Sequence, residues 1–315
     1  MRLYLVRHGD PDYATDSLTE HGRAQAAALA EHLPAQVLSA GFGGAKPGAR
    51  GEPFRVFCSP LGRAAETCAP FAERVGAEVH TREWLQELRW RVPLVDLFGD
   101  EAGPSAAAPP PSAPHAAGAA DAGVTDEAVE KLRREKAGTM AVWDVPALLL
   151  RDPIVSAAPD AQWRLRFGPD GGGSSLGDFK DAFAGIASAS DEFFKADIGI
   201  ARTGGSTYTV VDERFDPRGQ VVVFGHNGLH LAWLAHLLGL PLAMVYSSFY
   251  LQPSSVTTIV FEERAPGSLA PRCISVGAVE HLAAAGLGTV ASKYERVTRA
   301  TPFHPRPSGI KANFW

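Results

Sequence analysis

An α/β fold with a mostly parallel central sheet is predicted by three observations in the 315-residue chain. Arg2–Val6 alternates and carries branched apolar residues, and Gln220–Phe224 is a continuous apolar run of the kind found in parallel strands buried on both faces. Phe54–Cys58 is a third short strand. Each of the three is followed at once by a turn bearing glycine and a polar group, and then by a segment of helical character.

Length sets a prior of about one or two domains. The chain is 45% hydrophobic and 21% charged, an ordinary balance for a protein with a sizeable core. Its net charge of −5 gives no support to a nucleic-acid or membrane-surface partner. Any anion site is therefore a local basic pocket on an acidic body. Cys58, Cys68 and Cys273 are odd in number and lack metal-ligand spacing, so they read as buried thiols of a reducing compartment. No stretch approaches the ~20 apolar residues of a membrane span. The sequence opens directly on a strand, without a signal-peptide pattern, and a cytoplasmic location is expected.

The first strand stops at Arg7-His8-Gly9. In open α/β sheets, ligands bind beside the carboxyl ends of the strands. Arg7 offers a planar fork of donors, and His8, when neutral, offers a nucleophilic nitrogen. Gly9 has no side chain to block the backbone's approach to a ligand. A strand-end salt bridge would explain the triplet equally well. A polar loop, Pro11–Asp16, then leads to Ser17-Leu-Thr-Glu20. Ser17 with Glu20 is a capping-box pattern, and Thr19 is an equal candidate for the N-cap. Gly22, Ala26, Leu29, Ala30 and Leu33 form the apolar stripe of the helix, and Pro34 is expected to end it. Ser39–Pro53 holds five glycines and reads as a loop insertion.

After Phe54–Cys58, Ser59 suits an N-cap and Pro60 the first helical position. Arg63 then lies in the first turn of a helix, where free N–H groups and the helix dipole favour an anion. An ion pair with Glu66 or Glu73 is the alternative. Glu78–His80 is a further strand. Glu87, between apolar neighbours, is a candidate general acid with a raised pKa, in competition with Glu83 and with an exposed carboxylate of no catalytic use.

Ala102–Gly123 is so rich in alanine, proline, glycine and serine that it reads as a disordered insertion within one domain. The expected organisation is a core of 1–98 and 218–290, an insertion of 99–125, a lid over 126–217, and a tail of 291–315. Within the lid, Asp126–Lys136 is a charged helix, and Trp143–Leu150 and Trp163–Phe167 are apolar covering segments. A helix from Ser174 or Ser175 runs to about Ala196, and Tyr208–Val211 is a candidate strand.

Gln220–Phe224 delivers Gly225-His226-Asn227-Gly228 to its carboxyl end, and a helix follows through Leu229, Trp233, Leu237 and Leu238 to Gly239. His226 and His230 have the spacing of helical zinc ligands. The glutamate of the zinc motif is absent and His226 precedes the helix, so no metal site is expected. Ser254–Phe261 and Arg272–Val276 read as a closing pair of strands.

As a set, these segments resemble the histidine phosphatase superfamily, in its phosphoglycerate-mutase-like branch 1. The resemblance rests on Arg7-His8-Gly9, Leu18-Thr19-Glu20-His21-Gly22-Arg23-Ala24-Gln25-Ala26, Ser59-Pro60-Leu61-Gly62-Arg63-Ala64-Ala65-Glu66-Thr67, Leu85-Gln86-Glu87, Gly225-His226-Asn227 and the closing strands through Glu280-His281-Leu282. It implies a three-layer α/β/α fold and a catalytic set of His8, Glu87 and His226. His8 would form a phosphohistidine that water hydrolyses, and Glu87 would be the acid that protonates the leaving oxygen. Arg7, Arg63, Gly9 and Asn227 would bind phosphate, with His226 also holding an oxygen. No metal or other cofactor is implied.

The expected substrate is a small phosphomonoester, with a phosphoprotein left open, and a homodimer is compatible with the pattern. The chain departs from the family's motifs at Asp10 and at Asn227. The segment from Gly9 to Leu18 is shorter than that of the mutases, which favours hydrolysis over phosphoryl return. Leu85-Gln86-Glu87 lacks the family's glycine-rich continuation. A mutase-like phosphotransferase and a non-catalytic binding protein are the alternatives. The intact Arg7, His8, Arg63 and His226 count against the second. Specificity is expected to lie between Glu87 and Gln220.

Overall fold

The computed structural model describes residues 1–37, 54–88, 91–93, 139–141 and 175–288. The glycine-rich stretch 39–53, the insertion 99–125, the helix expected at 126–136, the apolar segments 143–150 and 163–167, and the tail 291–315 lie outside the described residues.

In chain order, the elements are β1 (Arg2–Arg7), β2 (Pro11–Asp12), β3 (Ser17–Leu18), α1 (Glu20–Val37), β4 (Phe54–Cys58), α2 (Gly62–Val75) and β5 (Val79–Thr81). A 3-10 turn at Glu83–Leu85 follows, and then β6 (Arg91–Pro93) and β7 (Thr139–Ala141), which pair with each other. Next come α3 (Ser175–Phe193), a π turn (Phe194–Ile198), β8 (Ile200–Gly204), β9 (Thr207–Val210), β10 (Gln220–Gly225) and α4 (Asn227–Leu238). The described chain closes with α5 (Leu242–Ser248), β11 (Val256–Ala265), β12 (Ser268–Ala278) and α6 (Glu280–Ala284).

Eight strands form one sheet in the order β5-β4-β10-β1-β11-β12-β9-β8. The first four are mutually parallel, and the pairings from β1 to β8 are antiparallel. Alternate side chains of the parallel strands serve two cores. Leu3, Leu5, Val221 and Val223 pack with Phe193 of α3 and Trp233 and Leu237 of α4. Tyr4, Val6, Val222 and Phe224 pack with Leu29 and Leu33 of α1 and Cys68 and Phe71 of α2. This is the α/β/α arrangement that the resemblance implies. Each large apolar side chain so buried contributes about 1.5–3 kcal/mol.

The structure takes one of the two N-cap candidates for α1, and three other local details differ from expectation. Thr19 is the N-cap of α1, its hydroxyl accepting from Gly22 N at 3.0 Å, while Ser17 belongs to β3. Pro34 does not end α1, which continues to Val37. Proline's fixed φ suits a helix, so the proline costs one hydrogen bond and leaves the backbone path open. α2 begins at Gly62 with Leu61 as its cap residue, so Ser59 and Pro60 lie before the helix. Finally, residues 175–217 are not wholly a lid. β8 and β9 extend the main sheet, and Ile186, Phe193, Phe194, Ile198, Ile200 and Tyr208 are buried in its core. β9 overlaps the candidate strand Tyr208–Val211, while β8 carries too few alternations to be read from sequence; Tyr208 packs on Phe261, and Phe194, just before β8, on Trp233.

Candidate active site

Parallel strands deliver all their carboxyl ends to one edge, so the turns after β1, β4 and β10 meet there. His8 N donates to Gly225 O at 2.9 Å, and Ser59 N donates to Phe224 O at 2.9 Å. The result is a cluster of buried polar residues: Arg7, His8, Ser59, Arg63, His226, Asn227 and His230 are each at most 8% exposed.

His8 is oriented by its neighbour. Its Nδ1 lies 2.7 Å from Gly9 O, and a carbonyl can only accept, so Nδ1 carries the proton and Nε2 keeps its lone pair. Burial, with Arg7 adding to it, holds the His8 pKa well below the ordinary imidazole range. The ring is thus neutral and nucleophilic at neutral pH. Gly9 serves this arrangement in a way the sequence does not suggest. A Cβ there would stand 2.7 Å from Gly22 O, and Gly9 N donates to Thr67 Oγ1 at 2.9 Å. Glycine is required for the close packing of α1, and the Gly9 amide is already occupied.

The second histidine faces the first, with ring centroids 5.2 Å apart. His226 Nε2 is 2.8 Å from Ser59 Oγ. That oxygen also accepts from Leu61 N at 3.3 Å. Nδ1 of His226 is buried and, among the described residues, has no hydrogen-bond partner. Burial, followed by His8 and Arg63, lowers the His226 pKa well below its ordinary value.

The two arginines are braced from outside. Arg7 Nη1 donates to Leu251 O. Arg63 Nη1 pairs with Asp16, whose other oxygen accepts from Gly62 N at 2.8 Å at the start of α2. The partner of Arg63 is therefore Asp16, and neither Glu66 nor Glu73 takes that place. Glu66 instead accepts from Leu18 N. Arg63 Nε is buried without a hydrogen-bond partner among the described residues. Unpaired buried polar atoms are rare, so Arg63 Nε, a donor, and His226 Nδ1 together mark a place built for a polar ligand.

Glu87 stands at the amino end of α4. Its carboxylate accepts from Leu88 N at 2.9 Å, Leu229 N at 3.1 Å and Gly228 N at 3.4 Å. Burial raises its pKa, against the pull of those amides and of Arg7. Glu83 is exposed and bonds to Gln86. Asn227, expected at phosphate, turns its side-chain oxygen to Leu251 N at 3.2 Å. It positions the segment whose carbonyl holds Arg7.

Asp16, Thr67, Ser254 and His230 were not singled out as site residues. Ser254 adopts φ 63°, and its N–H bonds to His8 O at 2.9 Å. Both ring nitrogens of His230 are buried without partners among the described residues. Only the spacing of His226 and His230 hinted at that residue.

Residues 3–93, which carry Arg7, His8, Arg63 and Glu87, match the model of the histidine phosphatase superfamily (branch 1). No curated protein matches the sequence. Among solved structures, the chain is similar to "Mycobacterial hydrolase 1", at 23% identity and TM-score 0.48 over 88% of this chain and 98% of that one. A mycobacterial glucosyl-3-phosphoglycerate phosphatase complexed with VO3 gives 21% and 0.47 over 88% and 98%. A phosphoserine phosphatase mutant from Entamoeba histolytica, in complex with phosphoserine, gives 16% and 0.45 over 89% and 98%.

Proposed function

We propose that this protein hydrolyses phosphomonoesters through a phosphohistidine on His8. The observation that carries the reading is the His8 Nδ1 to Gly9 O contact, which leaves Nε2 of a neutral ring as nucleophile beside two guanidinium groups. Nε2 attacks phosphorus in line, and the P–O bond to the leaving group breaks. Arg7, Arg63 and His226 hold the equatorial oxygens, where charge is spread in the transition state. Glu87, its pKa raised by burial, acts as the acid that gives a proton to the leaving oxygen. It then takes a proton from the water that attacks the phosphohistidine and releases phosphate. The cationic pocket neutralises the phosphoryl charge, so no metal enters these steps.

The segment between Gly9 and Leu18 is only the short β2–β3 hairpin, which favours water over a second phosphoryl acceptor. The substrate is read as a small phosphomonoester met in the cytoplasm. No helix among the described residues is long and apolar enough to cross a membrane.

The test is hydrolysis of p-nitrophenyl phosphate in EDTA by the wild type and by His8→Ala, with trapping of labelled phosphate on the protein. The expected result is wild-type turnover, an acid-labile adduct on His8, and a loss on the order of 10⁴ in the variant. Equal activity of the two proteins would remove His8 from the reaction.

A further inference from the structure

Two exposed tyrosines stand over the two phosphate-binding arginines. Tyr13 lies in the β2–β3 loop just after Gly9 and is 54% exposed. Its ring centroid is 5.5 Å from Arg63 Cζ. Tyr250 immediately precedes Leu251, whose carbonyl holds Arg7, and is 37% exposed; its centroid is 5.4 Å from Arg7 Cζ. Phe249 beside it is also 37% exposed.

Each guanidinium carbon lies over a tyrosine ring at cation–π distance, so ring and cation form one contact at the site. The aromatic surface then borders whatever is attached to the phosphorus. Exposed apolar surface at a binding site marks contact with a ligand of like character. The charges near Tyr13 oppose a second anionic group. Asp10 and Asp12 precede it on the hairpin, Asp16, which pairs with Arg63, follows it, and Arg23 on α1 is 3.7 Å from Glu66.

Resting on the phosphatase reading above, we propose that Tyr13 and Tyr250 form an aromatic clamp that selects esters with a flat, uncharged leaving group. Aryl and arylmethyl phosphates are the substrate class, in preference to phosphates of acidic alkyl alcohols. The tyrosines set specificity, and His8, Arg7, Arg63 and Glu87 carry the same chemistry for any ester.

The experiment compares kcat/KM for benzyl phosphate, n-butyl phosphate and O-phosphoserine, all esters of alkyl-type alcohols. They are assayed with the wild type, Tyr13→Ala, Tyr250→Ala and the two Tyr→Phe variants. The expected wild-type preference for benzyl over n-butyl phosphate is roughly tenfold, the size of an aromatic contact. O-phosphoserine is expected to be the poorest of the three. Each alanine variant loses most of the preference, and each phenylalanine variant keeps it. Turnover without a benzyl preference, a higher rate on O-phosphoserine, or a preference untouched by both alanine changes would overturn the clamp while leaving the phosphatase standing. Absence of turnover on all esters would overturn both.

Discussion

In the parallel half of the sheet, β1, β4 and β10 are buried along nearly their whole length, and their carboxyl ends carry Arg7, Ser59 and Gly225 into one cluster. In the antiparallel half, β11 and β12 run for 10 and 11 residues, alternate buried and open positions toward their ends, and leave Ile274 58% exposed. Parallel strands send every turn to the same edge, whereas a hairpin sends successive turns to opposite edges. A site assembled from several turns therefore forms on the parallel side. The antiparallel half contributes backbone to it, through Ser254 N on His8 O and Ser255 O on Arg7 N.

The contrast is sharpest in activity. Arg7→Ala should lower kcat/KM for a phosphomonoester by about 10²–10³, the cost of losing one oxyanion donor. Ile274→Thr on the antiparallel side should leave kcat/KM unchanged and stability within about 0.5 kcal/mol. A loss below tenfold for Arg7→Ala would erase the distinction between the halves.

A smaller effect is expected at the join of β10 and α4. A Cβ on Gly225 would stand 2.6 Å from His230 Nε2. Gly225 is also paired in register with Arg7, and its carbonyl receives His8 N. Gly225→Ala should cost roughly 1–3 kcal/mol by overpacking, read from denaturant midpoints. An unchanged midpoint would mean that His230 swings away freely.

The gentlest probe is pH. Burial, followed by Arg7, lowers the His230 pKa to about 3, against 6.5 for an open imidazole. Between those values the unfolded chain binds a proton that the folded chain does not. Stability therefore falls as pH drops from about 6.5 toward 3. His230→Leu should reduce that slope by up to ~1.4 kcal/mol per pH unit and leave the dependence above pH 7 unaltered. An identical slope in the variant would show that His230 is protonated in the folded protein.

Much of the parallel half was legible. β1, β4 and β10 have strong local signals, because strands buried on both faces read as apolar runs with branched residues and their turns hold glycine and polar groups. Arg7, His8, Arg63 and His226 followed from their places at those strand ends, and the structure brings all four together. The antiparallel edge was read less well. Tyr208–Val211 was seen only as a candidate, and β8 was missed, because a strand of four or five residues at a sheet edge has a local pattern that fits a loop as readily.

Sequence by itself determined the strand–turn–helix units, the helix faces and the chemical types at the strand ends, since these depend on neighbours a few residues apart. Only the tertiary structure decided who holds whom. Asp16 takes Arg63 across 47 positions, and Ser59 leaves its expected cap to bond His226 across 167. Glu87 reaches the amino end of α4, and Tyr13 and Tyr250 settle over arginines from different loops. Such partners are chosen by packing and by the need to satisfy buried polar groups, which act between segments distant in the chain.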